Sequence, residues 1–209
     1  MKLALLPGHT ENKKGAYSPL LNCHEYDFWV ESAMNIYTEA RHKGLECCVF
    51  KLDGMSMAHR NNLVDAYLGG QGVAIELHFN ALALPNSKLG DPRANGYETL
   101  YVEGKKQFAQ IVHRLGLEAL TEDNPLYTEY RKDINAKRGP RDRGLKLIEP
   151  KQAGWPSQST LKSPSCLVEP FFSANKKEID NFMRNKARYE RALARSVIEW
   201  FSQKKLNEV

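Results

Sequence analysis

Residues 72–81, with the sequence GVAIELHFNA, form the segment that decides the fold. Apolar side chains occupy the odd-numbered positions from 73 to 79. The even-numbered positions from 76 to 80 carry Glu76, His78 and Asn80. A period of two is typical of a β-strand, because successive side chains of a strand point to opposite faces of the sheet. The segment therefore predicts a strand with an apolar face and a second face that carries an acid, an imidazole and an amide.

Strand-like and helix-like segments alternate along the rest of the chain. Further strands are predicted at 2–6, 47–52, 96–102, 144–148 and 165–172. Helices are predicted at 27–43, 57–68, 105–120 and 175–204, and a long polar loop at 121–142. This order predicts one α/β domain over residues 1–209, with a mostly parallel twisted sheet and helices on both faces. Such sheets bind ligands beyond the carboxyl ends of their strands.

The composition is that of an ordinary globular protein with a mildly basic surface. Hydrophobic residues make up 42% of the chain, and the formal net charge is +5. No apolar run approaches the roughly 18–20 residues that a membrane span needs, so we expect no integral membrane segment. The apolar start of the chain is interrupted at Pro7, too early for a signal peptide, and we expect the protein to be cytoplasmic as synthesised. We find no motif of the nucleic-acid-binding modules and expect no nucleic-acid partner.

Four polar side chains stand where predicted elements begin or end. His9 follows the first strand, Glu25 opens the first helix, His78 ends the third strand and Glu169 ends the last. Two histidines and a carboxylate are a common ligand set for catalytic zinc. The segment HEYDF, which contains Glu25, is not an HExxH metalloprotease helix, because phenylalanine stands in the place of the second histidine. Only residues distant in sequence can complete a metal site here, and each of the four also fits an ordinary structural role.

Glu169 is unusual because it interrupts the apolar segment CLVEPFF. An ionised carboxylate is costly to bury unless it is paired. Burial raises the pKa of such a group and suits it to exchange protons near neutral pH. The alternative is a carboxylate at a strand end that is solvated or paired with a nearby arginine.

The order of these motifs resembles that of the zinc-dependent N-acetylmuramoyl-L-alanine amidases, a family of bacterial and phage cell-wall hydrolases. Members open with a strand that ends in a Gly-His turn, here LLPGHTENKKGA, and place a glutamate at the first helix, here in HEYDF. Their second histidine lies in a strand followed by Asn-Ala, here IELHFNA, and a Gly-led strand comes next, here GYETLY. An Arg-Gly segment, here RGLK, precedes the strand of the catalytic glutamate, here CLVEPFFSAN. The correspondence runs in order through residues 3–178.

The resemblance implies roles for the four side chains. His9, Glu25 and His78 correspond to the ligands of Zn²⁺, and Glu169 corresponds to the catalytic carboxylate. The implied substrate is peptidoglycan (murein). The bond cleaved is the amide between the lactyl group of N-acetylmuramic acid and L-alanine of the stem peptide.

Four positions depart from the family pattern. Thr10 and Glu11 stand where two glycines are frequent, and Pro170 replaces a smaller residue after the catalytic glutamate. Glu76 occupies a place usually taken by a small hydroxyl residue. Because it shares a strand face with His78, we expect it to contact that histidine behind the metal. The alternatives are a carboxylate that crowds the metal and one that faces outward.

The family often carries wall-binding repeats and an export signal, and neither is found in this sequence. We therefore expect a single catalytic domain over 1–209 with no separate wall-binding domain. The resemblance is then to a phage endolysin, which waits in the host cytoplasm until a holin opens the inner membrane. A bacterial enzyme recruited by a partner protein is the alternative origin.

Three other functions remain open. The first is a zinc hydrolase of small N-acyl amino acids or peptides, and the second is a non-catalytic wall-binding relative. The third is a cysteine hydrolase that uses Cys23 with His24, although neighbouring residues at a helix start point in different directions. The four cysteines form no CxxC pair, and we expect free thiols in a reducing compartment.

Overall fold

The protein is described from a computed structural model, which covers residues 1–82, 90–121, 142–150, 152 and 155–207. The strands are β1 (Lys2–Pro7), β2 (Tyr17–Ser18), β3 (Cys23–His24), β4 (Glu46–Val49), β5 (Gly72–Leu77), β6 (Tyr97–Tyr101), β7 (Asp142–Leu147) and β8 (Ser165–Glu169). The helices are α1 (Glu25–His42), α2 (Met57–Leu68), α3 (Lys106–Thr121), α4 (Trp155–Thr160) and α5 (Lys176–Asn207).

Six of these strands form one sheet in the order β4-β1-β5-β8-β6-β7. Strands β4, β1, β5 and β8 are parallel to one another. Strand β6 pairs antiparallel with β8, and β7 then pairs parallel with β6. The prediction of a single α/β domain with a mostly parallel sheet is confirmed.

Helices cover both faces of the sheet, as predicted. Leu3 and Leu5 of β1 point into the larger core, which α1, α3 and α5 close. Ala4 and Leu6 alternate with them and point into a smaller core, which Val64 of α2 closes. A parallel strand that is buried on both faces reads as a continuous apolar run, which is why KLALL showed no polar alternation.

The predicted helix boundaries agree with the structure to within about three residues. Helix α2 begins after Ser56, whose hydroxyl accepts a hydrogen bond from the backbone N–H of His59. It ends at Gly69, which adopts the left-handed conformation. Helix α1 begins at Glu25, two residues earlier than the apolar spacing indicated. Glu25 is thereby placed in the first turn of the helix.

Three short elements were not predicted. Strands β2 and β3 have two residues each and α4 has six. These elements are too short to show the two-residue period of a strand or the 3.6-residue period of a helix. The predicted loop at 121–142 lies outside the described residues except at its ends, Thr121 in α3 and Asp142 in β7. The four cysteines are free thiols, as expected. In the described part of the chain, no helix is long and apolar enough to cross a membrane.

Candidate metal centre and proton-transfer site

The carboxyl ends of β1 and β5 bring the two predicted histidines together. The strands are neighbours, and their last aligned pair is Pro7 with Leu77. His78 follows Leu77 directly, and His9 follows after Gly8. The two imidazole rings meet edge to face, with their centroids 5.0 Å apart.

Glu25, the first residue of α1, lies between the two imidazoles. Nδ1 of His78 is 2.8 Å from Oε1 of Glu25, and Nε2 of His9 is 3.0 Å from Oε2. Backbone N–H groups of Phe79 and Ala16 donate to the same two oxygens, at 3.0 and 3.4 Å. The carboxylate is only 3% exposed, so these contacts replace its hydration.

The charges of the three groups are coupled. Burial alone would raise the pKa of Glu25, but hydrogen bonds with His78 and His9 outweigh it and lower the pKa to about 2. Burial alone would lower the pKa of His78, but hydrogen bonds with Glu25 and Glu76 raise it to about 10. Glu25 is therefore an ionised carboxylate at neutral pH, which is the form that binds a cation.

The donor set fits a zinc ion. One ligand atom from each of His9, Glu25 and His78 can be chosen so that all three lie within 4.8 Å of one another. In a tetrahedral site, ligand atoms about 2.0–2.2 Å from zinc are roughly 3.3 Å apart. Two imidazole nitrogens, one carboxylate oxygen and a free fourth position are typical of catalytic rather than structural zinc.

Glycines make room for the two imidazoles. A Cβ atom on Gly8 would lie 2.2 Å from Cε1 of His78, and one on Gly15 would lie 2.4 Å from Cδ2 of His9. His9 itself adopts a left-handed conformation with a φ of 67°. Strained backbone of this kind persists where the surrounding structure holds it, frequently at functional sites.

Glu76 lies behind His78, on the side away from Glu25. Its Oε1 is 3.5 Å from Nε2 of His78, and its side chain is buried, so the outward-facing alternative is wrong. Arg60, Ser157 and Gln158 also contact the carboxylate. Burial would raise the pKa of Glu76, but its partners, His78 first, lower it to about 2. Its role toward a metal stays a prediction.

Glu169 ends β8, next to the strand that carries His78. The backbone N–H of His78 donates to the carbonyl of Val168, the residue before Glu169. Burial and a hydrogen bond with Glu98 raise the pKa of Glu169 to about 8. The charges of His78 and Glu25 also act on its pKa, so Glu169 lies within electrostatic reach of the His9–Glu25–His78 cluster.

Sequence analysis missed Glu98, a buried acid in β6 that pairs with Glu169 across the antiparallel ladder. Arg143 and Lys146 of β7 form ion pairs with it. Glu98 interrupts an otherwise buried strand in the same way as Glu169, and that signal could have identified it.

The described contacts do not activate the alternative thiol nucleophile. Burial raises the pKa of Cys23, which disfavours the reactive thiolate. The ring of His24 instead approaches the carbonyl oxygen of Gly15, at 3.4 Å. The arrangement that can do chemistry is the His9–Glu25–His78 cluster together with Glu169, whose raised pKa suits it to proton exchange.

Comparisons with known proteins agree with this geometry. A family model described as N-acetylmuramoyl-L-alanine amidase matches residues 3–199, nearly the whole chain. No curated protein sequence matches the chain significantly.

Solved structures of amidases share the fold. The catalytic domain of CwlV, an N-acetylmuramoyl-L-alanine amidase from Bacillus (Paenibacillus) polymyxa var. colistinus, is 19% identical, with a TM-score of 0.73 over 96% of this chain and 98% of that one. An N-acetylmuramoyl-L-alanine amidase from Clostridium difficile 630 is 20% identical, with a TM-score of 0.73 over 97% of each chain. The catalytic domain of the CD27L endolysin, which targets Clostridia difficile, is 18% identical, with a TM-score of 0.66 over 95% of this chain and 97% of that one.

Proposed function

Because the chain belongs to the N-acetylmuramoyl-L-alanine amidase family, we propose that it cleaves peptidoglycan in a zinc-dependent reaction and serves as an endolysin. The amidase activity and the cell-wall substrate follow from the family. The metal, the roles of the individual residues and the biological setting are the parts that we propose.

The observation that carries zinc dependence is the convergence of His9, Glu25 and His78. Three ligand atoms from three separate elements meet at the edge of the sheet, where ligands of α/β proteins bind. The buried negative charge of Glu25 lies between two nitrogen donors. A divalent cation bound there would replace the direct contacts between these side chains and neutralise the carboxylate.

When bound in such a site, zinc lowers the pKa of a coordinated water from 15.7 to about 7 and polarises a carbonyl oxygen. The chain's own residues supply the rest. His9 and His78 hold their rings against Glu25, and Glu76 orients His78 from behind through Nε2. The glycines at 8 and 15 leave the imidazoles free to approach.

Glu169 transfers the proton of the reaction. Hydrolysis adds the oxygen of water to the carbonyl carbon and a proton to the leaving nitrogen of L-alanine. Glu169 accepts that proton from the water and delivers it to the nitrogen. A pKa raised to about 8 favours both steps near neutral pH. The carboxylate is basic enough to accept the proton from water, and the carboxylic acid is acidic enough to donate it to the nitrogen.

Digestion of purified murein sacculi tests the amidase and its metal together. Zinc content is measured on the purified protein, and the products are identified by mass spectrometry. We expect about one zinc ion per chain and new free alanine amino termini, with both lost after chelation. Intact muropeptides, with hydrolysis of small N-acyl amino acids instead, would assign the zinc site to a different substrate.

The endolysin role rests on two likenesses. The motif order resembles phage cell-wall hydrolases, and the fold is similar to the catalytic domain of the CD27L endolysin. The protein would stay in the host cytoplasm until a holin opens the inner membrane and would then reach the murein. The positive net charge would aid its approach to anionic wall polymers at low salt.

Expression in bacterial cells tests this setting. Cells that make the protein alone should grow normally, and cells that also make a holin should lyse within minutes of membrane opening. A Glu169→Gln variant with the same holin is the control and should not lyse. Lysis without a holin would exclude this release route.

A further inference from the structure

A buried carboxyl group, that of Glu98, lies beside Glu169. Glu98 is 4% exposed, and its Cα is aligned with that of Glu169 across the antiparallel pair β6–β8. Residues paired in an antiparallel ladder point to the same face of the sheet, so the two carboxyl groups are neighbours on that face. Two ionised carboxylates have only acceptor atoms, so the pair can form a hydrogen bond only when one of them carries a proton.

Cations hold Glu98 as the ionised partner. Nε of Arg143 donates to Oε2 of Glu98 at 2.6 Å, and Lys146 pairs with the same oxygen. Nδ2 of Asn80 donates to the other oxygen, Oε1. Both oxygens of Glu98 therefore have donors, which keep Glu98 ionised whether or not Glu169 carries a proton.

The anchors of Glu98 are themselves fixed. Arg143 and Lys146 lie in β7, which pairs parallel with β6, and the guanidinium of Arg143 packs over the ring of Phe172 at 5.3 Å. Asn80 forms a bridge with Phe172 in the segment that follows His78. The Glu98 carboxylate thus has a set orientation beside Glu169.

We propose that Glu98, anchored by Arg143 and Lys146, is a positioning residue that holds the Glu169 carboxyl in one orientation and strengthens its hold on a proton. The inference rests on the proposed function, in which Glu169 takes a proton from water and passes it to the leaving nitrogen. The negative charge of Glu98 makes Glu169 the stronger base of the two, and their hydrogen bond fixes where its proton lies.

A Glu98→Gln variant removes that charge and keeps the shape of the side chain. The charged groups that face the pair are Arg143 and Lys146 from β7, with His78 and Glu25 beyond Glu169. Without Glu98, the two cations face Glu169 directly and weaken its hold on a proton. We expect kcat on murein to fall about 10- to 100-fold with KM unchanged, as when the partner of a functional side chain is removed. The acid limb of the pH–rate profile should move to lower pH.

The experiment compares zinc-loaded wild-type protein with Glu98→Gln, Glu169→Gln and the double variant, with zinc content and melting temperature measured for each. Glu46→Gln, an exposed strand glutamate, is the matched control and should behave as the wild type. In the Glu169→Gln background, Glu98→Gln should cause no further loss of rate, because its effect acts through Glu169.

Three outcomes decide the matter. An unchanged kcat and acid limb in folded Glu98→Gln would overturn the inference and leave the amidase standing. A wild-type protein without hydrolysis of murein would overturn the proposed function, and the inference with it.

If Glu98→Gln does not fold, the double variant Arg143→Gln/Lys146→Gln removes the anchors from partly exposed positions. It should lower kcat only when Glu169 is present, and an equal loss in the Glu169→Gln background would refute the positioning role.

Discussion

At the scale of single residues, the proposed mechanism depends on one acid, Glu169, as the group that exchanges the proton. Its replacement by glutamine keeps the size of the side chain and removes the basic oxygen. We expect Glu169→Gln to keep its zinc and its melting temperature and to lose at least about 100-fold in kcat, the usual contribution of general acid–base catalysis. Murein hydrolysis with parallel zinc analysis measures this. A variant with wild-type kcat would remove Glu169 from the mechanism.

Glu25 is the charged ligand of the proposed metal centre. Glu25→Gln removes the anion that lies between His9 and His78, so we expect the zinc content to fall to a small fraction of the wild-type value and hydrolysis to fall with it. Glu31→Gln, which changes an exposed acid of the same helix, is the control. Full zinc occupancy in Glu25→Gln would show that this carboxylate is not a ligand.

The four candidate site residues could be predicted from the sequence because each belongs to a short local motif. Glu98 could not be assigned a role in the same way. Its partners come from β7 and β8, and the sequence does not show that β6 lies between these two strands. A buried charge is recognisable in a sequence, but the group that neutralises it is known only once the strands are placed.

At the scale of elements, the loop between β1 and β2 sets the space for the imidazoles. Gly15 has a φ of 74°, and a Cβ there would lie 2.8 Å from Oε2 of Glu25 as well as against His9. Gly15→Ala should therefore lose zinc and hydrolysis. Gly104→Ala, at a φ of 81° with no atom within 4 Å, is the matched control.

Both glycine variants place alanine in a left-handed conformation, which costs about 1–2 kcal/mol. We expect similar losses of thermal stability in the two and a loss of zinc only in Gly15→Ala. The melting temperature reports the backbone strain that alanine causes in both variants. The zinc content reports the steric clash with His9 and Glu25, which only Gly15→Ala creates. Equal zinc contents would contradict the role given to Gly15.

Lys105, the residue before α3, forms hydrogen bonds with α4, with β8 and with the segment between them. Its ammonium donates to the carbonyls of Gln158 and Leu161 and to the hydroxyl of Ser165, at 2.5–2.9 Å. Burial lowers the pKa of Lys105 from its usual 10.5 to about 8. Between these two values the unfolded chain binds more protons than the folded one, so this group's contribution to stability rises with pH.

We therefore expect the stability difference between the wild type and Lys105→Met to grow in favour of the wild type from pH 8 to pH 10.5. Urea unfolding of both proteins at the two pH values measures it, and groups common to both cancel. A difference that is constant or shrinks would show that the pKa of Lys105 is not lowered in the folded state.

The direction of β6 is a property of elements that sequence patterns do not encode. A period of two indicates a strand but is the same for parallel and antiparallel pairing. The parallel arrangement of β1, β4, β5 and β8 could be predicted because a helix separates many of the successive strands. Residues 78–96, between β5 and β6, contain no predicted helix, and here the pairing reverses.

At the scale of the whole molecule, the proposed zinc binding would be linked to folding, because the candidate site is made of residues from distant segments. A ligand that binds only the folded state at 100 times its Kd adds about 2.7 kcal/mol, or roughly 5–11 °C in Tm for a chain of this size. We expect a rise of this order when zinc is added to the chelated wild type, and none in Glu25→Gln. Equal shifts in both proteins would place the metal elsewhere.

The layered architecture was predictable because apolar patterns report burial, and burial on both strand faces requires two layers of helices. The restriction to one catalytic domain over 1–209, the endolysin setting and the cytoplasmic location stay predictions. They concern the cell rather than the packing of this chain.

The account is tested most directly by hydrolysis of murein sacculi before chelation, after chelation and after zinc is restored. We predict that free alanine amino termini appear with the native protein, are absent from the chelated protein and return with about one equivalent of zinc. The same zinc should not restore the Glu25→Gln variant. Release of alanine amino termini at an undiminished rate by fully chelated protein would contradict a metal-dependent amidase built on His9, Glu25 and His78.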